Sequence, residues 1–204
     1  MKKMSALILA LALCAAPAFA EAAPQPSPEV AFAPTDSTIL VACFSATGNT
    51  WSLAEYAAEF LNADLFRIEP EIPYTEADLN YGDSDSRANQ EMNDETSRPA
   101  LKATVETIEQ YDTILLGFPI WWGQAPRLIE TFVEAHDLSG KTILPFCTSG
   151  SSGYGQTGEI LAALTDETVT WLEGRRFPAS ATAEEIAAWL QEMAIEPYAP
   201  SEEK

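Results

Sequence analysis

From residue 38 onward, short continuous apolar runs alternate with segments whose apolar residues recur every three or four positions. The runs are residues 38–44 (TILVACF), 65–68, 113–118 (TILLGF), 142–147 (TILPFC) and 169–172. Runs this short and unbroken predict strands buried on both faces. Between them, residues 49–61 place Leu53, Ala57, Phe60 and Leu61 on one helical face. Leu101, Val105 and Ile108 mark a second helix, Leu128, Ile129, Phe132 and Val133 a third, and residues 160–164 a fourth. The last helix is the clearest. Thr182 and Glu185 form a capping box ahead of a stripe of Ile186, Trp189, Leu190 and Met193. Five strands alternating with five helices predict an α/β fold, a doubly wound five-stranded parallel sheet with helices on both faces. Pro145 lies inside the fourth run, where it cannot donate a ladder bond, so a bulge or an irregular strand end is expected there.

The ends of the chain break this pattern. Residues 1–20 read as a signal peptide: Lys2 and Lys3, an apolar stretch from about Leu7 to Ala16, then Ala18-Phe19-Ala20 as a cleavage site. The stretch is too short to span a membrane. Leu13 stands before Cys14 where a lipid-anchor signal needs a small residue, which argues against that anchor. The expected destination is outside the cytoplasm, periplasmic or secreted. Residues 21–36, with Pro24, Pro26, Pro28 and Pro34, read as an Ala/Pro-rich linker, and residues 197–204 as a flexible tail. Residues 70–99 form a long acidic connection whose only basic residues are Arg87 and Arg98, either a functional lid or a mobile excursion.

Formal net charge is −20, and loss of the leader removes two lysines and no acid. Such a chain repels nucleic acid and anionic membrane surfaces. Any anion it binds must be held without a basic cluster. Cys43 and Cys147 fall at the ends of strands that need not be neighbours, so two buried thiols are expected rather than a disulfide.

Three loops carry candidate chemistry, each directly after a predicted strand. Ser45, Ala46, Thr47, Gly48, Asn49 and Thr50 lie between strand one and helix one, where backbone N–H groups and the positive helix end favour an anion. Pro119, Ile120, Trp121, Trp122 and Gly123 follow strand three. A flat aromatic at that edge can stack on a flat ring, while one of the two tryptophans is expected to pack against the following helix instead. Thr148, Ser149, Gly150, Ser151, Ser152, Gly153 and Tyr154 follow strand four, a small-residue loop rich in donors with one aromatic.

Other chemistries fit poorly. A Walker loop needs Lys where Asn49 stands. A cysteine phosphatase loop needs Arg where Asn49 or Gly153 stands. The formal G-x-G-x-x-G at residues 153–158 lies beyond the fourth strand rather than at the first. There is no G-x-S-x-G for a serine hydrolase, and the single histidine, His136, reads as a surface or helix-end residue. No metal site is expected from one histidine and scattered cysteines.

With loops following strands one, three and four, the chain resembles the flavodoxin family over about residues 38–194. The resemblance implies a flavodoxin-like domain at residues 37–196, strand order 2-1-3-4-5, and FMN at the switch point between strands one and three. By that analogy Ser45, Thr47, Asn49 and Thr50 hold the phosphate. Trp121 or Trp122 stacks on one flavin face and Tyr154 covers the other. The implied role is electron transfer to an unidentified redox partner or small-molecule acceptor. An FMN-dependent NAD(P)H or quinone reductase and a flavodoxin-fold binding module that has lost FMN are the alternatives. An export leader and an acidic excursion depart from typical flavodoxins, which are cytoplasmic carriers.

Overall fold

The computed structural model describes residues 37–198. The expected signal peptide, the 21–36 linker and the tail beyond Tyr198 lie outside the described residues. Strand β1 (Ile39–Cys43) leads into helix α1 (Asn49–Leu61), then β2 (Asp64–Arg67), α2 (Arg87–Asn93), β3 (Thr113–Pro119), α3 (Arg127–Glu134), β4 (Thr142–Thr148), α4 (Thr157–Ala162), β5 (Thr170–Trp171), β6 (Arg175–Phe177) and α5 (Ala183–Glu192). All strand pairs are parallel, in the order β2-β1-β3-β4-β5, with β6 also paired to β4.

The sheet is covered on both sides because its strands alternate. Leu40, Ala42, Ile114, Leu116 and Phe118 face one core with Leu128, Ile129, Phe132 and Val133 of α3. Val41, Cys43, Leu115, Leu144 and Phe146 face the other, against α1 and α5. The capping box of α5 forms as the sequence implies, with Thr182 accepting from the Glu185 N–H. It fixes the helix so that Ile186, Trp189 and Leu190 are buried, each contributing about 1.5–3 kcal/mol. The chain stays docked as far as Tyr198, whose N–H donates to the Leu61 carbonyl at the end of α1.

Pro145 produces an irregularity, but not in its own strand. β4 pairs with β3 in unbroken register from Thr142 to Thr148, with Pro145 opposite Leu116. The Ile143 carbonyl accepts from Leu172 on the far side. By the two-residue period, the N–H that Pro145 lacks would also face that side. There the fifth position is broken: β5 pairs with residues 142–143 and β6 with residues 146–148. The fifth strand therefore reaches Phe177, five residues beyond the apolar run that predicted it.

A second difference concerns residues 101–108, expected to be helical. Leu101 instead bridges to Pro70, and the Lys102 N–H donates to the Glu69 carbonyl, so the segment closes the base of the acidic excursion. Val105 and Ile108 are buried, but only Ile108–Gln110 makes a 3-10 turn. His136 holds this segment at the end of α3. Its Nε2 accepts from the Val105 N–H at 2.9 Å, so Nδ1 carries the proton and donates to the Phe132 carbonyl at 2.7 Å.

The missing helix lies inside the excursion. α2 buries Ala88 and Met92, and the Asn89 amide donates to the carbonyl of Asp83 at 2.6 Å. Arg98 reaches Glu130 and Glu134 on α3, and Arg127 donates to the Met92 carbonyl. The excursion is a structured cap fastened to α3 rather than an open loop.

Candidate functional site

At the carboxyl edge of β1, the chain turns into α1 through Gly48, whose φ of +87° is a left-handed conformation that favours glycine. Gly48 brings no capping side chain of its own, and no acid occupies the first turn of the helix. The structure divides the six loop residues. Ala46, Thr47, Gly48 and Asn49 are exposed, and the Asn49 amide donates to Thr47 Oγ1 at 3.4 Å. Ser45 Oγ accepts from the Thr50 N–H at 3.2 Å. Thr50 is buried, its hydroxyl 2.7 Å from that of Thr148. It ties the first loop to the third and is not presented to a ligand, contrary to the expectation for that side chain.

At the edge of β3, residues 121–124 make a tight two-residue turn, with mutual backbone bonds between Trp121 and Gln124. Trp122 (φ +46°) and Gly123 (φ +86°) are both left-handed, the geometry of a type I′ turn. A tryptophan held there is strained by about 1 kcal/mol, a pattern associated with functional positions. The two tryptophans part company. Trp121 is buried, edge-on to Phe44 and Tyr74 at 5.6 and 5.2 Å. Trp122 is 39% exposed and stacks on Tyr81 with centroids 4.3 Å apart.

At the edge of β4, Thr148 is buried, while Ser149 and Gly150 line the opening. Ser151 and Gly153 are exposed and lie outside its lining. Tyr154 departs from its expected role. Its side chain lies against Gly158 and Gly174, where an added Cβ would fall 2.8 Å from the Tyr154 hydroxyl and 2.3 Å from a ring carbon, respectively. The absence of side chains at those two glycines lets the ring turn inward. It is not among the residues lining the opening.

The first and third loops and Pro119, Ile120 and Trp121 of the second enclose a cleft of about 450 Å³. Other wall residues were not read from the sequence. Leu79 and Tyr81 come from the excursion, Arg176 from β6, and Pro178 and Ala179 from the turn that follows. Arg176 donates to the Ser149 carbonyl at 2.6 Å. The clue to it was the Arg175-Arg176 pair just beyond the fifth apolar run, which a longer strand carries to the ligand-binding edge.

The Flavodoxin family profile matches residues 38–193. The chain belongs to the flavodoxin family. This flavodoxin-family chain is similar to a candidate flavoprotein from Bacteroides eggerthii, at 44% identity and a TM-score of 0.72, covering 78% of this chain and 98% of that one. A candidate flavoprotein from Bacteroides uniformis is 42% identical with a TM-score of 0.71, covering 75% and 97%. A Lactobacillus acidophilus flavoprotein solved in complex with FMN shares the fold at 21% identity and a TM-score of 0.55, covering 68% and 91%. A search of curated proteins gave no match.

The thiols of this flavodoxin-family chain are not part of its cleft chemistry. Cys43 on β1 and Cys147 on β4 are free, buried and separated by β3. Burial pushes the Cys147 thiol up to about 12 and that of Cys43 further, so neither is a nucleophile at neutral pH. Among the described residues no cluster of metal-ligating side chains occurs, and no helix is long and apolar enough to cross a membrane.

Proposed function

We propose that this protein is an exported flavoprotein that binds FMN in the cleft between its first, second and third loops and passes electrons through it. The observation that carries the reading is the convergence of those loops at the switch point of the sheet, with polar groups at one part of the cleft and aromatic rings at another. The residues fit the group. The α1 terminus, where Ser45 occupies the Thr50 N–H and Gly48 brings no capping side chain, supplies neutral donors for a phosphate monoester together with Thr47 and Asn49, and the helix end adds about 0.3–1 kcal/mol for an anion. Tyr81 in the cleft wall, with the partly exposed Trp122 ring stacked on it, offers an aromatic surface for a flat heterocycle.

Bound FMN supplies the electron-carrying chemistry, and the protein contributes binding, orientation and charge. Net charge of −20 opposes further negative charge in the cleft and sets the reduction potential below that of free FMN. Electron exchange occurs outside the cytoplasm, with a redox partner or a small-molecule acceptor. Leu79 and Tyr81, which bring the excursion to the cleft wall, favour as second reading an FMN-dependent NAD(P)H or quinone reductase.

The test is titration of the purified protein with FMN, followed by quenching of flavin fluorescence and by the visible spectrum. Saturable binding, weakened by Thr47→Ala, is the expected result. Steady turnover of NAD(P)H or a quinone by the loaded protein would make it a reductase. Failure to bind at high FMN concentration would overturn the flavoprotein reading in favour of a binding module that has lost FMN.

A further inference from the structure

We infer that Arg176 is the charged recognition residue for the phosphate of the ligand in this cleft, a role that rests on the FMN reading above. The sequence places no cation in the first loop. A protein this acidic offers a dianion nothing but neutral donors there. The fold supplies the missing charge from elsewhere. The break in the fifth strand lets β6 resume the pairing with β4 and brings Arg176 level with Cys147, at the edge where the third loop begins.

Most other cations of the described residues are committed. Arg87, Arg98, Lys102, Arg127 and Arg175 pair with carboxylates. Lys141 donates to backbone carbonyls of Glu109 and Tyr111, and the Arg67 guanidinium lies over Trp51. Arg176 has no carboxylate partner among the described residues. One Nη2 bond to the Ser149 carbonyl orients its guanidinium while the rest of the planar fork stays available. Arg176 shares the cleft wall with Thr47 and Asn49. Polar contacts connect it to the first loop: Arg176 to Ser149, then, through the adjoining Thr148 hydroxyl, to Thr50. An unneutralised arginine in the same cleft wall as neutral phosphate donors, in a chain with nearly three acids for each base, is placed where an anion offsets it.

The decisive comparison is between FMN and riboflavin, which share the ring and ribityl chain and differ by the phosphate. Purified protein and its Arg176→Gln variant are titrated with each by fluorescence quenching at fixed ionic strength. Because the guanidinium is exposed, the expected loss is about tenfold in FMN affinity, at the low end for a charge-assisted hydrogen bond. Riboflavin affinity should stay within about twofold. Arg176→Lys should recover part of the loss, and added salt should weaken FMN binding more in the parent protein than in Arg176→Gln. Unchanged FMN binding by Arg176→Gln would overturn the phosphate role and leave the flavoprotein reading intact. So would equal losses for both ligands, which would direct the guanidinium to the ring. If the parent protein binds neither ligand, the FMN reading itself falls, and the role of Arg176 with it.

Discussion

Trp121 and Trp122 are adjacent in the chain, yet the structure predicts opposite consequences for their removal. Trp121 is only 4% exposed and packs edge-on against Phe44 and Tyr74. Trp121→Ala removes a buried indole whose neighbours cannot collapse fully, a loss of about 3–5 kcal/mol. That is a large part of the 5–15 kcal/mol typical of a domain. Trp122→Asn is different. It forfeits the stack on Tyr81, about 0.5–1.5 kcal/mol. In return, Asn-Gly is a preferred pair for a type I′ turn and relieves about 1 kcal/mol of left-handed strain. The net change in stability is within about 1 kcal/mol. Loss of the exposed ring face, however, should weaken FMN by about tenfold. Urea unfolding and flavin titration on the two variants separate the effects. The reasoning is refuted if Trp122→Asn binds FMN as tightly as the parent, or if Trp121→Ala leaves the urea midpoint unchanged.

Two further predictions concern the scaffold. Burial lowers the pKa of His136 below its ordinary 6.5, so the unfolded chain takes up more protons as pH falls through that range. The contribution of the neutral ring is fully present above pH 6.5 and is lost as pH falls toward the folded pKa. Thermal unfolding between pH 7.5 and 5 should show that loss, and His136→Gln should flatten the profile. Gly117 lies beneath the Phe146 ring, where an added Cβ would stand 2.4 Å from a ring atom. Gly117→Ala should cost about 1–3 kcal/mol in urea unfolding, and an unchanged midpoint would show that the ring moves aside freely.

The parallel sheet was legible because buried strands must be apolar throughout, as residues 38–44 and 113–118 are. The α5 capping box was legible because Thr182 and Glu185 interact locally. Residues 101–108 misled for the opposite reason. Leu101, Val105 and Ile108 have helical spacing, but the backbone there is held by Pro70, bridged to Leu101, and by His136, bonded to the Val105 N–H, both far away in sequence. The same holds in the cleft. Loops that follow strands could be placed from their positions, whereas Tyr81 and Arg176 arrive through the fold of the excursion and the break in the fifth strand. No local pattern distinguishes Trp121 from Trp122. The turn's left-handed backbone does so, pairing one ring with Phe44 and Tyr74 and the other with Tyr81.

Beyond its effect on Arg176, the interruption opposite Pro145 changes how the molecule meets copies of itself. The fifth position is an outer margin of the sheet, and an outer margin with a long regular row of unpaired amides and carbonyls is a template for self-association. Here that margin is cut into pieces of two and three residues, the second of them carrying Arg175 and Arg176. Neither piece offers a docking strand a continuous ladder. A proline in one strand thus protects the next against runaway assembly.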